Sequence, residues 1–383
     1  MNKSPVSILP SSKDKILFTP GPLTTSRTVK QAMLRDLGSR DFEFINIVKD
    51  IRARLLRAGE VDESDYTTII LQGAGTYSVE AVLSSTVPHN GKILVVVNGA
   101  YSKRMCDIAK VLKIETVQVK FKEEDKVDLK KIEDSLKSNQ DLTHICMVHC
   151  ETSTGMFNPI KEVGELAKKY SKKYFVDAMS SFGAYPMSLR EHNIDYIVSS
   201  ANKCIEGVPG FGFVLCKKAS LEKTEGMARS LSFDLYAQWK GLEGSGQFRF
   251  TPPTHSLLAY HQALLELEAE GGVSARAERY KSNYQLLVSE MRKFGFQDFL
   301  EPSLQGYIIT AFMYPNDSKF VFETFYSKLN ERGYVIYPGK VAEANCFRIG
   351  NIGRIFNEDI KSLLLAIKEI IREMGLIILE NKF

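Results

Sequence analysis

Residues 174–216 read YFVDAMSSFGAYPMSLREHNIDYIVSSANKCIEGVPGFGFVLC. Three apolar runs lie in this stretch, Tyr174–Val176, Ile194–Val198 and Phe211–Cys216. Each has the length of a buried strand and is bounded by small or polar residues. The first run ends on Asp177, and the second leads into Ser199-Ser200-Ala201-Asn202-Lys203. Upstream the same texture alternates with amphipathic segments. Strands are expected at Tyr66–Leu71, Lys92–Val97, Glu115–Lys120 and His144–His149, with helices over Ser102–Leu112, Leu129–Leu136 and Ile160–Tyr170. Such alternation predicts an α/β fold: a mostly parallel sheet covered by helices on both faces.

Past residue 253 the pattern changes. Ser256–Glu270 and Ala275–Phe294 read as long helices separated by Gly271-Gly272. A smaller α+β pattern follows, with strands at Tyr307–Met313, Tyr334–Ile336 and Cys346–Ile349 and helices over Phe320–Glu331 and Glu358–Met374. The expected organisation is a large domain over 15–255 and a small C-terminal domain over 256–383, with residues 1–14 as an arm. The apolar tail Leu376–Leu379 is left open between docking on a neighbour and fraying.

The chain has 383 residues, 44% hydrophobic and 25% charged, ordinary values for a globular protein. The formal charge of +4 is spread along the chain, which argues against nucleic acid as a partner. Six cysteines without a CxxC pair point to free buried thiols in a reducing compartment and to no metal site. No apolar run is long enough to span a bilayer and no leader is evident at Met1-Asn2-Lys3-Ser4-Pro5, so the expectation is a cytoplasmic protein without a membrane partner.

In open α/β sheets ligands bind at the carboxyl ends of the strands. Those ends carry Gly73-Ala74-Gly75-Thr76, Asn98-Gly99-Ala100-Tyr101, Glu151-Thr152-Ser153-Thr154-Gly155, Asp177 and Ser199–Lys203. Lys203, with small neighbours on both sides, can be approached closely by a flat cofactor. Asp177 can keep a pyridine nitrogen protonated. Gly75 and Thr76 open a helix whose N–H groups suit a phosphate, and Tyr101 can stack on a heterocycle. Taken singly, the lysine reads as a loop residue, the glycines as a tight turn and the tyrosine as core. Taken together they describe a site for pyridoxal 5'-phosphate, held through an imine to Lys203. Arg348, inside the apolar run Cys346-Phe347-Arg348-Ile349, faces an anion or else a structural carboxylate.

With these residues assembled, the chain resembles the class-V aminotransferases, among the fold-type I pyridoxal-phosphate transferases. The resemblance rests on Phe18–Ser26, Gln72–Thr76, Asn98–Tyr101, Glu151–Gly155, Val176–Gly183, Ser199–Gly212 and Arg249–His255, covering about 15 to 374. It implies a seven-stranded sheet in the large domain. Lys203 takes the imine role, Asp177 the pyridinium partner and Tyr101 the stacking ring. Gly75, Thr76 and Ser200 take the phosphate. Thr152, or Thr154 in the same segment, approaches the ring hydroxyl. Thr251 reaches the phosphate of the other subunit, implying a homodimer with shared sites, and Arg348 holds the substrate anion. Within the family the chain is most similar to members that transfer the amino group of 2-aminoethylphosphonate to pyruvate, or run the reverse. The alternative is an alanine–glyoxylate or serine–pyruvate type of the same class. Two departures stand out: Gly38–Phe44 differs from many degradative members, and Ala74 replaces a serine common in the glycine turn.

Overall fold

The computed structural model describes residues 14–341 and 344–376. The expected arm therefore lies almost wholly outside the described residues, as does the tail beyond Leu376. The main sheet has seven strands: β1 (Tyr66–Gly73), β2 (Lys92–Val97), β3 (Glu115–Lys120), β4 (Leu142–Val148), β5 (Lys173–Asp177), β6 (Tyr196–Ser200) and β7 (Gly210–Lys217). Their order across the sheet is β1-β7-β6-β5-β4-β2-β3. All neighbours run parallel except β7, which is antiparallel to both β1 and β6. β4, β6 and the middle of β1 are buried on both faces, which is why they read as unbroken apolar runs rather than as alternation.

After β2 the chain goes out to the edge strand β3 and returns on the other side of β2 as β4. The loops leaving β2 and β4 therefore part there, opening a crevice at the carboxyl end of the sheet. After helix α1 (Phe42–Ala58), helix α2 (Gly75–Thr86) leaves β1 and helix α3 (Ala100–Val111) leaves β2 at this same end. The first-turn N–H groups of both helices lie beside the crevice. One hydrophobic core runs through this body and includes Ile70, Val95, Ile145, Phe175, Val198 and Phe213.

A three-stranded antiparallel sheet is built from β8 (Ile309–Met313), β9 (Tyr337–Pro338) and β10 (Cys346–Gly350), with β10 central. It packs with α6 (Asn357–Glu373) around a second core containing Phe312, Phe325, Phe347, Ile360 and Ile367. Two long helices connect the bodies, α4 (Thr254–Glu270) and α5 (Gly272–Lys293). Only Gly271, in the left-handed region at φ 109°, interrupts them, whereas Gly272 already opens α5. Leu257, Leu264 and Leu267 of α4 belong to the first core and Leu287, Val288 and Met291 of α5 to the second. By packing, α4 thus belongs with the first core and the end of α5 with the second.

Several details differ from the sequence expectation, among them the helices Phe42–Ala58 and Leu235–Gly244, which it did not include. The strand expected over Tyr334–Ile336 divides. Tyr334–Val335 pairs in parallel with Ile16–Leu17, while Tyr337–Pro338 joins β10, with buried Ile336 between them. Ile16–Leu17 was not foreseen as a strand, because two residues carry no period. The six cysteines are all free and buried, as expected.

Candidate active site

Asp177 closes β5. Its register is fixed on both sides, opposite Val148 of β4 and Val198 of β6. The His149 N–H donates to the Asp177 carbonyl at 2.8 Å, and the Ala178 N–H to that of Val198 at 3.0 Å. Strand pairing therefore aims the carboxylate into the crevice. It is 6% exposed and accepts a hydrogen bond from the Met179 N–H at 2.9 Å. Burial pushes this carboxyl up to about 6, a shift that the Met179 N–H partly offsets.

Lys203 lies just beyond β6. The turn that holds it is closed by Glu206 N–H donating to the Lys203 carbonyl at 2.7 Å and Gly207 N–H to the Ala201 carbonyl at 3.0 Å. Lys203 Nζ donates to the Pro20 carbonyl at 2.5 Å. Burial pulls this amine down to about 8; Asp177 acts against the shift and Arg348 adds to it. Gly21 approaches so closely that a Cβ there would stand 2.9 Å from Lys203 Nζ, and its φ of +120° also disfavours a side chain.

Helix α2 starts at Gly75 with Ala74 as its N-cap, and Ala74 offers no side-chain acceptor. First-turn N–H groups are thereby left for a ligand. Arg104 Nη1 donates to Thr76 Oγ1 at 3.3 Å. A small hollow of about 40 Å³ is lined by Thr76, Tyr101, Arg104, Asp177 and Met179. A larger one of about 520 Å³ is lined by Asp50, Arg52, Glu243 and others. Arg52 is paired with Glu243 there and Asp50 with Arg54. Volume does not mark the reactive place in this molecule; unpaired buried charge does.

Tyr101 is positioned by a residue that sequence reasoning quoted but gave no role. Glu151, fully buried, accepts from the Tyr101 N–H at 3.0 Å and the Ser102 N–H at 3.1 Å, and from the Ser102 and Ser153 hydroxyls. It serves as the cap of α3 from across the crevice, a carboxylate on a helix N-terminus. Gly99 permits this, since a Cβ there would stand 2.2 Å from Glu151 Cγ. Burial raises the Glu151 pKa, against the pull of these hydrogen bonds. Arg104 was also missed. Its signal was its place three residues after Tyr101 on one helix face, with its guanidinium 4.9 Å from that ring's centroid.

Thr152 Oγ1 shares a hydrogen bond of 2.6 Å with Ser180 Oγ, in the loop after Asp177. Thr154 instead turns back to the Glu151 carbonyl at 3.4 Å. Ser200 is buried, with its hydroxyl 3.2 Å from Asn202 Oδ1. Arg348 reaches over from β10. Its Nη1 donates to the Thr152 carbonyl at 3.0 Å and its Nε to that of Pro338 at 3.0 Å. Among the described residues it makes no ion pair, so the structural-carboxylate alternative finds no partner there. The crevice thus gathers Lys203, Asp177, Gly75, Thr76, Tyr101, Thr152, Ser200 and Arg348. Thr251 stands apart: it is exposed, beside Ser39 and Arg40, and its carbonyl accepts from Gln72 Nε2 at 3.0 Å.

The profile of the class-V aminotransferase family matches residues 24–340. A 2-aminoethylphosphonate--pyruvate transaminase of Klebsiella pneumoniae is 51% identical over 359 residues, covering 93% of this chain and 98% of that protein. A bifunctional phosphonoacetaldehyde hydrolase/aminoethylphosphonate transaminase of Clostridioides difficile is 49% identical over 94% of this chain, which spans 56% of that longer protein. Among solved structures, an alanine--glyoxylate aminotransferase from Nostoc sp. superposes with a TM-score of 0.87 at 22% identity, over 97% of this chain and 98% of that one.

Proposed function

From the premise that this chain belongs to the class-V aminotransferases, we propose that it transfers the amino group of 2-aminoethylphosphonate to pyruvate. The products are phosphonoacetaldehyde and L-alanine, and the same site can run the reverse. The observation that carries this reading is the 51% identity to a transaminase of that name over 98% of its length. The alanine–glyoxylate alternative rests on a likeness of fold at 22% identity.

Pyridoxal 5'-phosphate fits the donor set: a buried amine, a buried carboxylate and an uncapped helix N-terminus converge on one crevice. When bound, it supplies the electron sink that amino transfer requires. Asp177, ionised above about pH 6, favours positive charge on a ring nitrogen beside it. Gly75, Thr76 and Ser200 line the phosphate end, and Arg104 adds charge there through Thr76. Glu151 fixes the backbone of Tyr101 so that its ring can stack. Thr152 offers its hydroxyl on the Ser180 side.

Lys203 is the group that moves a proton at the substrate's α-carbon. Its amine, lowered to about 8, is neutral in a useful fraction near neutral pH, as a general base must be. Arg348 binds the substrate's carboxylate or phosphonate, because its own partners are carbonyls that leave its charge unspent. The exposed Thr251 completes the site of a second subunit in a homodimer.

The test is a titration of the holoenzyme. Adding 2-aminoethylphosphonate should bleach the cofactor's visible band with release of phosphonoacetaldehyde, and pyruvate should restore it with formation of L-alanine. A response to L-serine or L-alanine with glyoxylate, and none to the phosphonate, would replace this reading by the alternative.

A further inference from the structure

Two cations face the Tyr101 ring, a third lies within electrostatic reach of one of them, and the carboxylate beside them is already engaged. Arg104 stands 4.9 Å and Lys340 Nζ 4.5 Å from the centroid of that ring. Arg348 is near enough to act electrostatically on Lys340, as are Arg104 and Glu151. Glu151 spends its oxygens on the N-terminus of α3, and no salt bridge of Lys340 occurs among the described residues. Lys340 also has a defined approach. Gly339 N–H donates to the Cys346 carbonyl at 2.9 Å, and a Cβ on Gly339 would stand 2.3 Å from that oxygen. Arg348 Nε binds the Pro338 carbonyl, so the arginine itself anchors the segment that delivers the lysine.

The charges have unequal work. Arg104, bonded to Thr76 at the helix terminus, belongs to the phosphate end. One guanidinium matches one carboxylate by paired hydrogen bonds. A phosphonate carries three oxygens and, once its second proton is lost, two charges against the single charge of a carboxylate. A single arginine leaves half of that charge uncompensated.

We propose that Lys340 is the second cation of the substrate-anion subsite and sets the preference for a dianionic phosphonate over a carboxylate. This rests on the amino-transfer reading above and deepens it. Among the described residues the lysine's amine meets only a ring face; when the substrate arrives it exchanges that contact for a phosphonate oxygen.

The experiment uses holoenzyme with Lys340→Met and Lys340→Arg. In Lys340→Met the KM for 2-aminoethylphosphonate should rise roughly 10- to 100-fold, the loss of one hydrogen bond between charged groups. Its kcat and its KM for pyruvate should stay within about threefold, and Lys340→Arg should recover most of the loss. A second readout needs no turnover: at a pH where the probe is a dianion, ethylphosphonate should raise the melting temperature of the wild type but not of Lys340→Met, whereas propionate should protect both alike. Equal loss for both anions, or unchanged KM and protection, overturns the assignment. Should wild type not turn over 2-aminoethylphosphonate, the functional reading falls, and the two-anion melting comparison still decides the role of Lys340.

Discussion

Two groups of buried charge lie on opposite sides of the turn that carries Lys203. Behind it, every charge is matched. Glu206 accepts from Arg279 Nη2 at 2.7 Å and Tyr280 hydroxyl at 2.6 Å, with Arg276 Nη1 at 3.4 Å. Glu270 binds both arginines at 2.8 Å. Arg276 also donates to the Cys204 carbonyl, and Arg279 to those of Gly353 and Ile355. This cluster therefore ties the lysine's turn to α5 and to the smaller body. In front, Lys203, Asp177 and Arg348 meet backbone groups but, among the described residues, no counter-charge within bonding reach. Desolvated charge without a partner is costly. A fold tolerates it where ligands supply the missing charge, and the matched cluster behind holds the unmatched one in place.

Breaking the front should abolish chemistry. Lys203→Ala should reduce turnover by on the order of 10⁴-fold or more while the melting temperature stays at or above that of wild type, since a buried amine is removed. Steady-state rates and a melting curve on the same sample check both halves.

Breaking the rear should cost stability first. Glu206→Ala leaves Arg279 and Arg276 short of a counter-charge, and should destabilise the fold by about 3–5 kcal/mol. It also sits at φ 67°, where alanine gains nothing. Denaturant unfolding measures this, and a stability equal to wild type would erase the contrast between the two clusters.

The lowered amine sharpens the contrast further. In cofactor-free protein, Lys203 should be modified by an amine-directed reagent with a midpoint near pH 8. At pH 8 it should react on the order of 100-fold faster than an accessible lysine of ordinary pKa, if access is equal. Peptide mapping across pH reads the midpoint. The sign is that of a base whose protonated form is disfavoured by burial. Folding stability tied to this group is least below pH 8, where the buried amine must carry its charge, and increases as pH rises from about 8 toward 10.5.

The smallest effect belongs to Glu151→Gln. An amide must turn one N–H toward the donors of α3, weakening the cap by about 1–3 kcal/mol. Pyridoxal-phosphate binding should weaken by roughly 10-fold, measured by fluorescence titration, with little change in the chemistry per bound site.

How much of this was legible in the sequence follows from what each residue's setting depends on. The inner strands and their carboxyl-end residues were readable because buried strands are apolar runs with small polar residues at one end, and the edge strand Glu115–Lys120 was readable by its alternation. Lys203 and Asp177 stood in those positions by local sequence alone. Glu151 and Arg104 were not assigned, since their roles come from contacts across the crevice, at residues 101 and 76. The matched cluster was invisible for the same reason: Glu206 and Arg279 are joined only when α5 folds back behind the turn. Short ribbons such as Ile16–Leu17 have too few residues to show a period.

That ribbon has a consequence of its own. Ile16 and Leu17 are laddered to Tyr334 and Val335, and the Gly350 N–H binds the Phe18 carbonyl, so this segment belongs to the smaller body. Yet only two residues later, Pro20 presents its carbonyl to Lys203 Nζ. Only Thr19 lies between these two attachments. Removing one residue from Phe18–Pro20 would preserve either the ladder or the contact with the lysine, but not both. The spacing of these few residues acts as a ruler between the body that grips the substrate's anion and the amine that moves its proton.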